Sequence, residues 1–362
     1  MALFSLHDFL MSLRPFLFCA AILAFLPATS RANFLFTVTD LGTLGGSTSH
    51  GLAVNDYGQV VGEAMTSAGV YRAFAFWKGT LIDLGTLGGD YSSASGINDN
   101  AQIVGTATTA AFKDRAFLFS FATGIMTDLG TLGGDDSRAA AINNSGIIVG
   151  DAALPNGSSR AFYYANGVMH DLGTLGGDYS SATAIDDNNV IVGISSTPPN
   201  PSEFVNQSGF VFFNGSMVNL STFGIGGLND VVYVNGVSDA GIAGDENGDP
   251  LGGFGPSGFI IRVDGTTVNF GSTDYVASED GINEGGLAVG YVQQVLSFTP
   301  QFASLYAGGV SYDLNALVDL SGSDFTQLTE AKAISNTGYI VGNGTTKSGA
   351  VHAFLLTPIR TP

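Results

Sequence analysis

Short apolar runs alternate with clusters of Asn, Asp and Gly along most of the chain, at a spacing too tight for helices. Residues 92–130 show the pattern: SSASGIN, a turn at Asp99-Asn100-Ala101, QIVGTA, then RAFLF and MTDLG. The alternation in RAFLF and the β-branched content of QIVG predict half-buried strands, and residues that tolerate positive φ fill the turns. The unit reads as four strands. A glycine marks the turn between the third and fourth in six units, at Gly79, Gly124, Gly167, Gly215, Gly265 and Gly309. Asn166-Gly167, Asn214-Gly215 and Asp264-Gly265 are strong two-residue hairpin signals. The connection from the fourth strand to the next unit, TLGGDYS at 86–92 for example, is longer and rich in glycine.

The unit repeats. DLGTLGG occurs at Asp40, Asp83, Asp128 and Asp171, with weaker copies at Asn219, Asn269 and Asp313, in steps of 43, 45, 43, 48, 50 and 44 residues. AVNDYGQVVG at Ala53 recurs from Gly96, Ala141, Ala184, Gly236, Gly281 and Ala333; the aromatic strand RAFAFW at Arg72 recurs from Arg115, Arg160, Gly209, Gly258, Phe302 and His352. A period in the forties signals a repeat architecture, and three hairpins followed by a longer return suit a propeller blade built from the axis outward. The ends complement each other: FTVTDLG at 36–42 is a fourth strand with no third before it, and HAFLL at 352–356 is a third strand without its fourth. The expected fold is all-β, a seven-bladed β-propeller closed by pairing the N-terminal strand with the C-terminal strands. Its seventh blade combines 331–356 with 36–41.

With DLGTLGG, the [AG]-I-N-x-x-G-x-[IV]-V-G segment and RAF or HAF in view, the chain resembles the extracellular HAF-repeat family, found mainly among exported bacterial proteins. The resemblance covers most of residues 36–356, specific in the first three units and in HAFLL and looser between about 206 and 319. It implies export and a repeat fold. It supplies no activity and no catalytic residue.

Only 12% of the 362 residues are charged and 45% are apolar, which argues against intrinsic disorder; 51 Gly, 26 Phe and 12 Tyr fit short strands and tight turns. Arg14 precedes the apolar run PFLFCAAILAFLP at 15–27, and ATSRA then ends at Ala32. Those 13 residues fall short of the roughly 20 that span a bilayer as a helix. Residues 1–32 are therefore expected to be a secretory signal peptide, with Met11 an alternative start, and no membrane anchor is expected after cleavage. The remainder, 33–362, is expected to be one secreted, monomeric propeller domain of seven repeats. The only cysteine, Cys19, lies in the leader, so the exported part relies on its apolar core. Net charge is −19 overall; outside the leader 10 basic and 30 acidic residues leave −20, which argues against nucleic acid or anionic lipid as a partner.

Candidate chemistry is sparse. The glycines of DLGTLGG precede neither a Lys nor a helix pattern, so a structural return loop, with each Asp capping backbone amides, is favoured over a phosphate loop. Asn55-Asp56, Asn98-Asp99-Asn100, Asn143-Asn144 and Asp186-Asp187-Asn188 resemble fragments of calcium loops but read better as hairpin turns. Asp245, Asn247 and Asp249 place oxygen ligands alternately around a glycine; Ca2+ is the one cofactor this pattern admits, set against the plainer reading of a solvated loop. His50, His170 and His352 occupy different repeat positions and predict no metal cluster. The basic residues before the aromatic strand, Arg72, Arg115, Arg160 and His352, are expected to pair with an Asp of a neighbouring loop. No G-x-S-x-G elbow is present.

Ligand contact is expected on the face carrying the long return loops, where the connections at 195–208 and 245–257 are expanded. On that face Asp90-Tyr91, Asp135-Asp136 and Asp178-Tyr179 follow the Gly-Gly pairs, and a carboxylate beside an aromatic ring suits a polyhydroxylated or cationic ligand. The competing role for these acids is to cap strands or to pair with Arg138 and its neighbours. The first functional reading is a non-enzymatic extracellular binding module for a saccharide or protein, because no unique acid, base or nucleophile stands out of the repeat. Two others stay open: a polysaccharide hydrolase or lyase with carboxylates converging at the axis, and a structural surface or matrix protein.

Overall fold

Each of the seven repeats folds into a four-stranded antiparallel sheet whose strands follow one another outward from the axis. The computed structural model describes residues 35–199, 206–223, 231–247, 257–262, 265–269, 275–294 and 302–359. The leader expected at 1–32 lies outside the described residues, as do 200–205 and 248–256, the middle of one expanded connection and most of the other. Blades 1 to 6 span 45–83, 88–128, 137–171, 180–219, 231–269 and 275–313. A single parallel pairing, Ser257 to Ala277, bridges blades 5 and 6. Blade 7 is the composite expected from the sequence: Phe325–Ile334, Ile340–Thr346 and Val351–Pro358, with Phe36–Asp40 as its outer strand, in the register Val38 opposite Leu356. The protein is a seven-bladed β-propeller.

The core lies between blades. Phe117, from the aromatic strand Asp114–Ser120, is fully buried with Ile103 of its own blade and with Val61, Ala73, Ala75 and Leu84 of blade 1. Phe74, Phe162, Phe210, Phe259 and Phe354 occupy the equivalent place and are equally buried. Burying such a side chain stabilises by about 1.5–3 kcal/mol, and the aromatic signature recurs because it wedges six of the seven interfaces, blade 6 having Ser304 in that place. The glycine of the I-V-G signature follows from the same packing. A Cβ on Gly105 would lie 2.0 Å from the carbonyl oxygen of Ser93 and 2.9 Å from the Phe117 ring.

That close approach accompanies a one-residue bulge in each inner strand. The bulged residues are Leu52, Ser95, Ala140, Thr183, Asn235, Asp280 and Lys332, one per blade at one repeat position. Bulges re-aim side chains locally. Here Ser95 Oγ donates to the Ala139 carbonyl of the next blade, 2.6 Å away, and Thr183 Oγ1 donates to Val234 O of the next.

DLGTLGG is a structural loop, as its composition indicates. Asp40, Asp83, Asp128 and Asp171 each accept, through Oδ1, the backbone N–H of the glycine two residues on, at 2.7–2.8 Å. Ser92, Ser137 and Ser180, on the following inner strands, are buried staples. Ser92 Oγ donates to Gly85 O at 2.6 Å and accepts the N–H of Ala73 in the preceding blade at 2.8 Å.

Candidate functional site

Antiparallel order sends the turns between first and second strands, and between third and fourth, to one face, and the remaining turns and the return loops to the other. Each face has a mouth at the axis. On the return-loop face a cavity of about 270 Å3 opens between blades 2 and 3, lined by Tyr91, Ser93, Ser95, Thr106, Asp114 and Arg138. Tyr91 is 38% exposed, and its hydroxyl donates to Glu63 Oε2 at 3.0 Å. Burial and the Glu63 charge push the Tyr91 phenol up to about 12, so it stays a neutral donor. Burial also pushes Glu63 up, but hydrogen bonds from His50, Tyr91 and Ser93 together hold it below the usual range. Opposite, Arg138 pairs with Asp114 at 3.1 Å.

The six candidate residues of the return loops do not form one site. Tyr91 lines the cavity, and Asp136 abuts it by accepting the backbone N–H of Asp114 through Oδ1 at 3.1 Å. Asp135 pairs on the surface with Lys113, at 2.7 Å, rather than with Arg138. Asp90 is exposed at the rim. Asp178 and Tyr179 sit two blades further round, where the Asp178 carbonyl accepts from Arg160. Burial raises the Tyr179 phenol, opposed by a hydrogen bond from Ser181, and the charges of Asp151 and Arg138 both reach it. Arg138 thus lies between the two Asp-Tyr positions.

Of the four basic residues before the aromatic strand, two pair with an Asp carboxylate, while Arg160 donates to the backbone carbonyl of Asp178. Arg115 lies 3.6 Å from Asp128 and His352 lies 3.0 Å from Asp40. Arg72 differs: its Nε is buried without a hydrogen-bond partner. Asp245 Oδ2 accepts from Asn235 at 2.8 Å, while the side chain of Asn247 and all of Asp249 lie outside the described residues. Among the described residues no three His, Cys, Asp or Glu side chains are grouped to hold a metal ion.

On the hairpin face the sets that look like calcium fragments are turns, and they are also a belt. In blade 1, Asn55 Oδ1 accepts the N–H groups of Tyr57 and Gln59, closing the turn, while Asn55 Nδ2 donates to Asn98 O of blade 2 at 3.1 Å. Asn98 donates likewise to Asn143 O, Asn143 to Asp186 O, Ser238 to Asn283 O and Asn283 to Ser335 O, all at 3.0 Å. The next residue in each turn forms the rim of a cavity of about 170 Å3, with Asp56, Asp99, Asp187, Asp239 and Glu284 supplying carboxylates and no cation among the lining residues. Burial, then neighbouring carboxylates, raise Asp56, Asp239 and Glu284.

Between the two mouths lies a group that breaks the repeat. Two consecutive bulge positions carry opposite charges: Lys332 Nζ lies 3.5 Å from Asp280 Oδ2 and also contacts Glu330 Oε1. Asn343 donates to the other Glu330 oxygen at 3.2 Å. Burial pushes Asp280 up to about 7 against the pull of Lys332. Burial lowers Lys332, but Asp280 and Glu330 together hold it above its usual value. Sequence reading passed over this group, although a column-by-column alignment of the repeats shows the charges side by side.

No family model matches the chain, and no curated protein matches it by sequence. Solved structures match in fold. The chain is similar to a puromycin hydrolase mutant (11% identity, 89% of this chain and 55% of that one, TM-score 0.55). It is also similar to the Pyrococcus horikoshii acylaminoacyl peptidase (11%, 84% and 50%, TM-score 0.51) and to a Mycobacterium tuberculosis puromycin-hydrolyzing peptidase (11%, 89% and 53%, TM-score 0.50). The chain spans about half the length of these three, and at such identity the likeness concerns the fold alone.

Proposed function

We propose that this chain is an exported, non-enzymatic binding module that takes a saccharide at the return-loop mouth. The observation that carries the reading is the cavity between blades 2 and 3, where a partly exposed Tyr91 ring, the hydroxyls of Ser93, Ser95 and Thr106, and the Asp114–Arg138 pair face one space. A sugar ring offers apolar C–H faces to an aromatic and hydroxyls to planar charged groups, and this cavity supplies both kinds of partner. The hydrolytic activities named for the similar peptidases are not carried over: the likeness covers about half of each, and this chain has no G-x-S-x-G elbow. A glycan-binding screen with a parallel assay for reducing-end release tests the proposal. Saturable binding without turnover, weakened at least tenfold by Tyr91→Ala, is the expected result; binding unchanged by Tyr91→Ala removes the proposed site.

One observation favours the polysaccharide hydrolase or lyase as a second reading. A carboxyl held near 7 beside a lysine and a second carboxylate, as Asp280 is beside Lys332 and Glu330, suits general acid-base work. Release of reducing ends that vanishes in Asp280→Asn would establish it.

A further inference from the structure

The belt on the hairpin face has one seam built on a carboxyl group. Where blades 1, 2, 3 and 6 present Asn55, Asn98, Asn143 and Asn283, and blades 5 and 7 present Ser238 and Ser335, blade 4 presents Asp186. The side chain is held in the same way: Asp186 Oδ1 accepts the N–H of Val190 at 2.7 Å, as Asn143 Oδ1 accepts that of Ile147 and Asn283 Oδ1 that of Leu287. That anchoring puts Oδ2 where the four Asn blades carry the amide nitrogen, and where the amide meets the carbonyl of the equivalent residue in the next blade. Asp186 is 6% exposed, and its Oδ2 is buried with no hydrogen-bond partner. An ionised carboxylate only accepts, so at this place it would meet another acceptor.

We infer that Asp186 carries a proton in the folded ring and donates it across the seam to blade 5, standing in for the amide of blades 1, 2, 3 and 6, so that its ionisation loosens the ring there. The surroundings agree. On its own turn Asp187 is acidic, and across the seam blade 5 presents Asp239, which accepts from Asn188 Nδ2 at 2.5 Å. Blade 3 faces Asp186 with the neutral Asn143 and Asn144, and among the described residues no Lys, Arg or His lines the mouth. Burial first, then Asp239 and Asp187, push Asp186 up to about 7. The folded form therefore holds a proton that the unfolded chain releases near its ordinary value of about 4. Its contribution to stability is complete below that value and is lost as pH rises towards 7.

Thermal melts of the whole protein between pH 4 and 9 test this with Asp186→Asn, whose amide donates at every pH. The variant should match the wild type at pH 4 and melt higher, by on the order of 5 °C, at pH 9. Parallel profiles for the two proteins would overturn the inference, and so would a profile flattened by Asp239→Asn instead, since the proton would then belong to blade 5. A second measurement holds even if Asp186→Asn misfolds. In Asp280→Asn, which removes the other carboxyl held near 7, infrared difference spectra should still show a protonated carboxyl that titrates near neutrality. Absence of that band refutes a protonated Asp186.

Discussion

His352 Nδ1 stands 3.0 Å from both carboxylate oxygens of Asp40, joining the last strand of the chain to the first across 312 residues of sequence. Beside them Leu41 donates its N–H to Ala353 O at 3.0 Å, and Ala353 donates its own to Ser49 Oγ in blade 1 at 2.9 Å. One short region therefore ties both ends of the chain to the blade that follows. The seventh interface has the same serine staple as those between blades 1 and 2, 2 and 3, and 3 and 4, and closure of this kind is how a ring avoids exposed sheet edges.

Truncation before Gly349 removes the strand that pairs with Phe36–Asp40 and should lower the melting temperature sharply. Phe354→Ala is the milder form of the same test: the ring is fully buried and meets Phe325 edge-on at 6.2 Å. A cost of about 3–5 kcal/mol is expected in chemical denaturation. A truncated chain that melts with the wild type would refute closure by this strand.

Ser92→Ala should weaken the interface between blades 1 and 2. The hydroxyl is fully buried, and its loss leaves the Ala73 N–H and the Gly85 carbonyl without their partner. A buried donor left unmade costs about 1–3 kcal/mol. Ser92→Thr keeps the hydroxyl and separates the lost hydrogen bonds from any general intolerance at the site.

Gly105→Ala tests the close approach beneath the bulge at Ser95. The added carbon would meet a backbone oxygen, not a side chain able to swing away. Overpacking of this kind costs about 1–3 kcal/mol. Gly124→Ala is the contrast: nothing lies within 4 Å of its Cβ, although its φ of 65° carries conformational strain. Amide exchange should be accelerated in blade 2 for Gly105→Ala and only at the hairpin for Gly124→Ala.

The architecture was legible because each blade repeats the same local chemistry. Asp-Leu-Gly makes its own loop, Asn166-Gly167 makes its own hairpin with both residues at positive φ, and the aromatic strand announces its burial by alternation. The missing partners of FTVTDLG and HAFLL even predicted the closure. What stayed hidden lies between blades. Asn55 looks like a turn residue because it is one; that its amide also reaches Asn98, 43 residues on, depends on how blades stack about the axis. Asp280 and Lys332 are 52 residues apart and meet because a bulge re-aims both side chains. The return-loop candidates were chosen for proximity in sequence, whereas the cavity draws Tyr91 from one blade and Arg138 from the next.

Lys332→Met should be the most pH-sensitive change in the molecule. Lys332 is the cation paired with Asp280 and Glu330, and all three side chains are mostly buried. Removing one partner of a buried pair typically costs about 3–5 kcal/mol, because the remaining charge is left uncompensated. Here Asp280 can escape by taking up a proton. Asp280 is already held near 7 by burial despite the pull of Lys332, and without that pull its folded value rises further. A carboxyl raised in the folded state keeps its stability below its unfolded value near 4 and loses it as pH climbs through the folded one. The deficit of Lys332→Met relative to the wild type should therefore be small up to about pH 7, where both proteins keep Asp280 protonated, and grow as pH climbs to 8 and above. Adding Asp280→Asn to Lys332→Met should recover much of the loss at pH 8, since it removes the group that must ionise. Denaturant unfolding of the two variants at pH 5 and pH 8 checks both points, and a deficit independent of pH would mean that Lys332 contributes packing by its stem rather than charge.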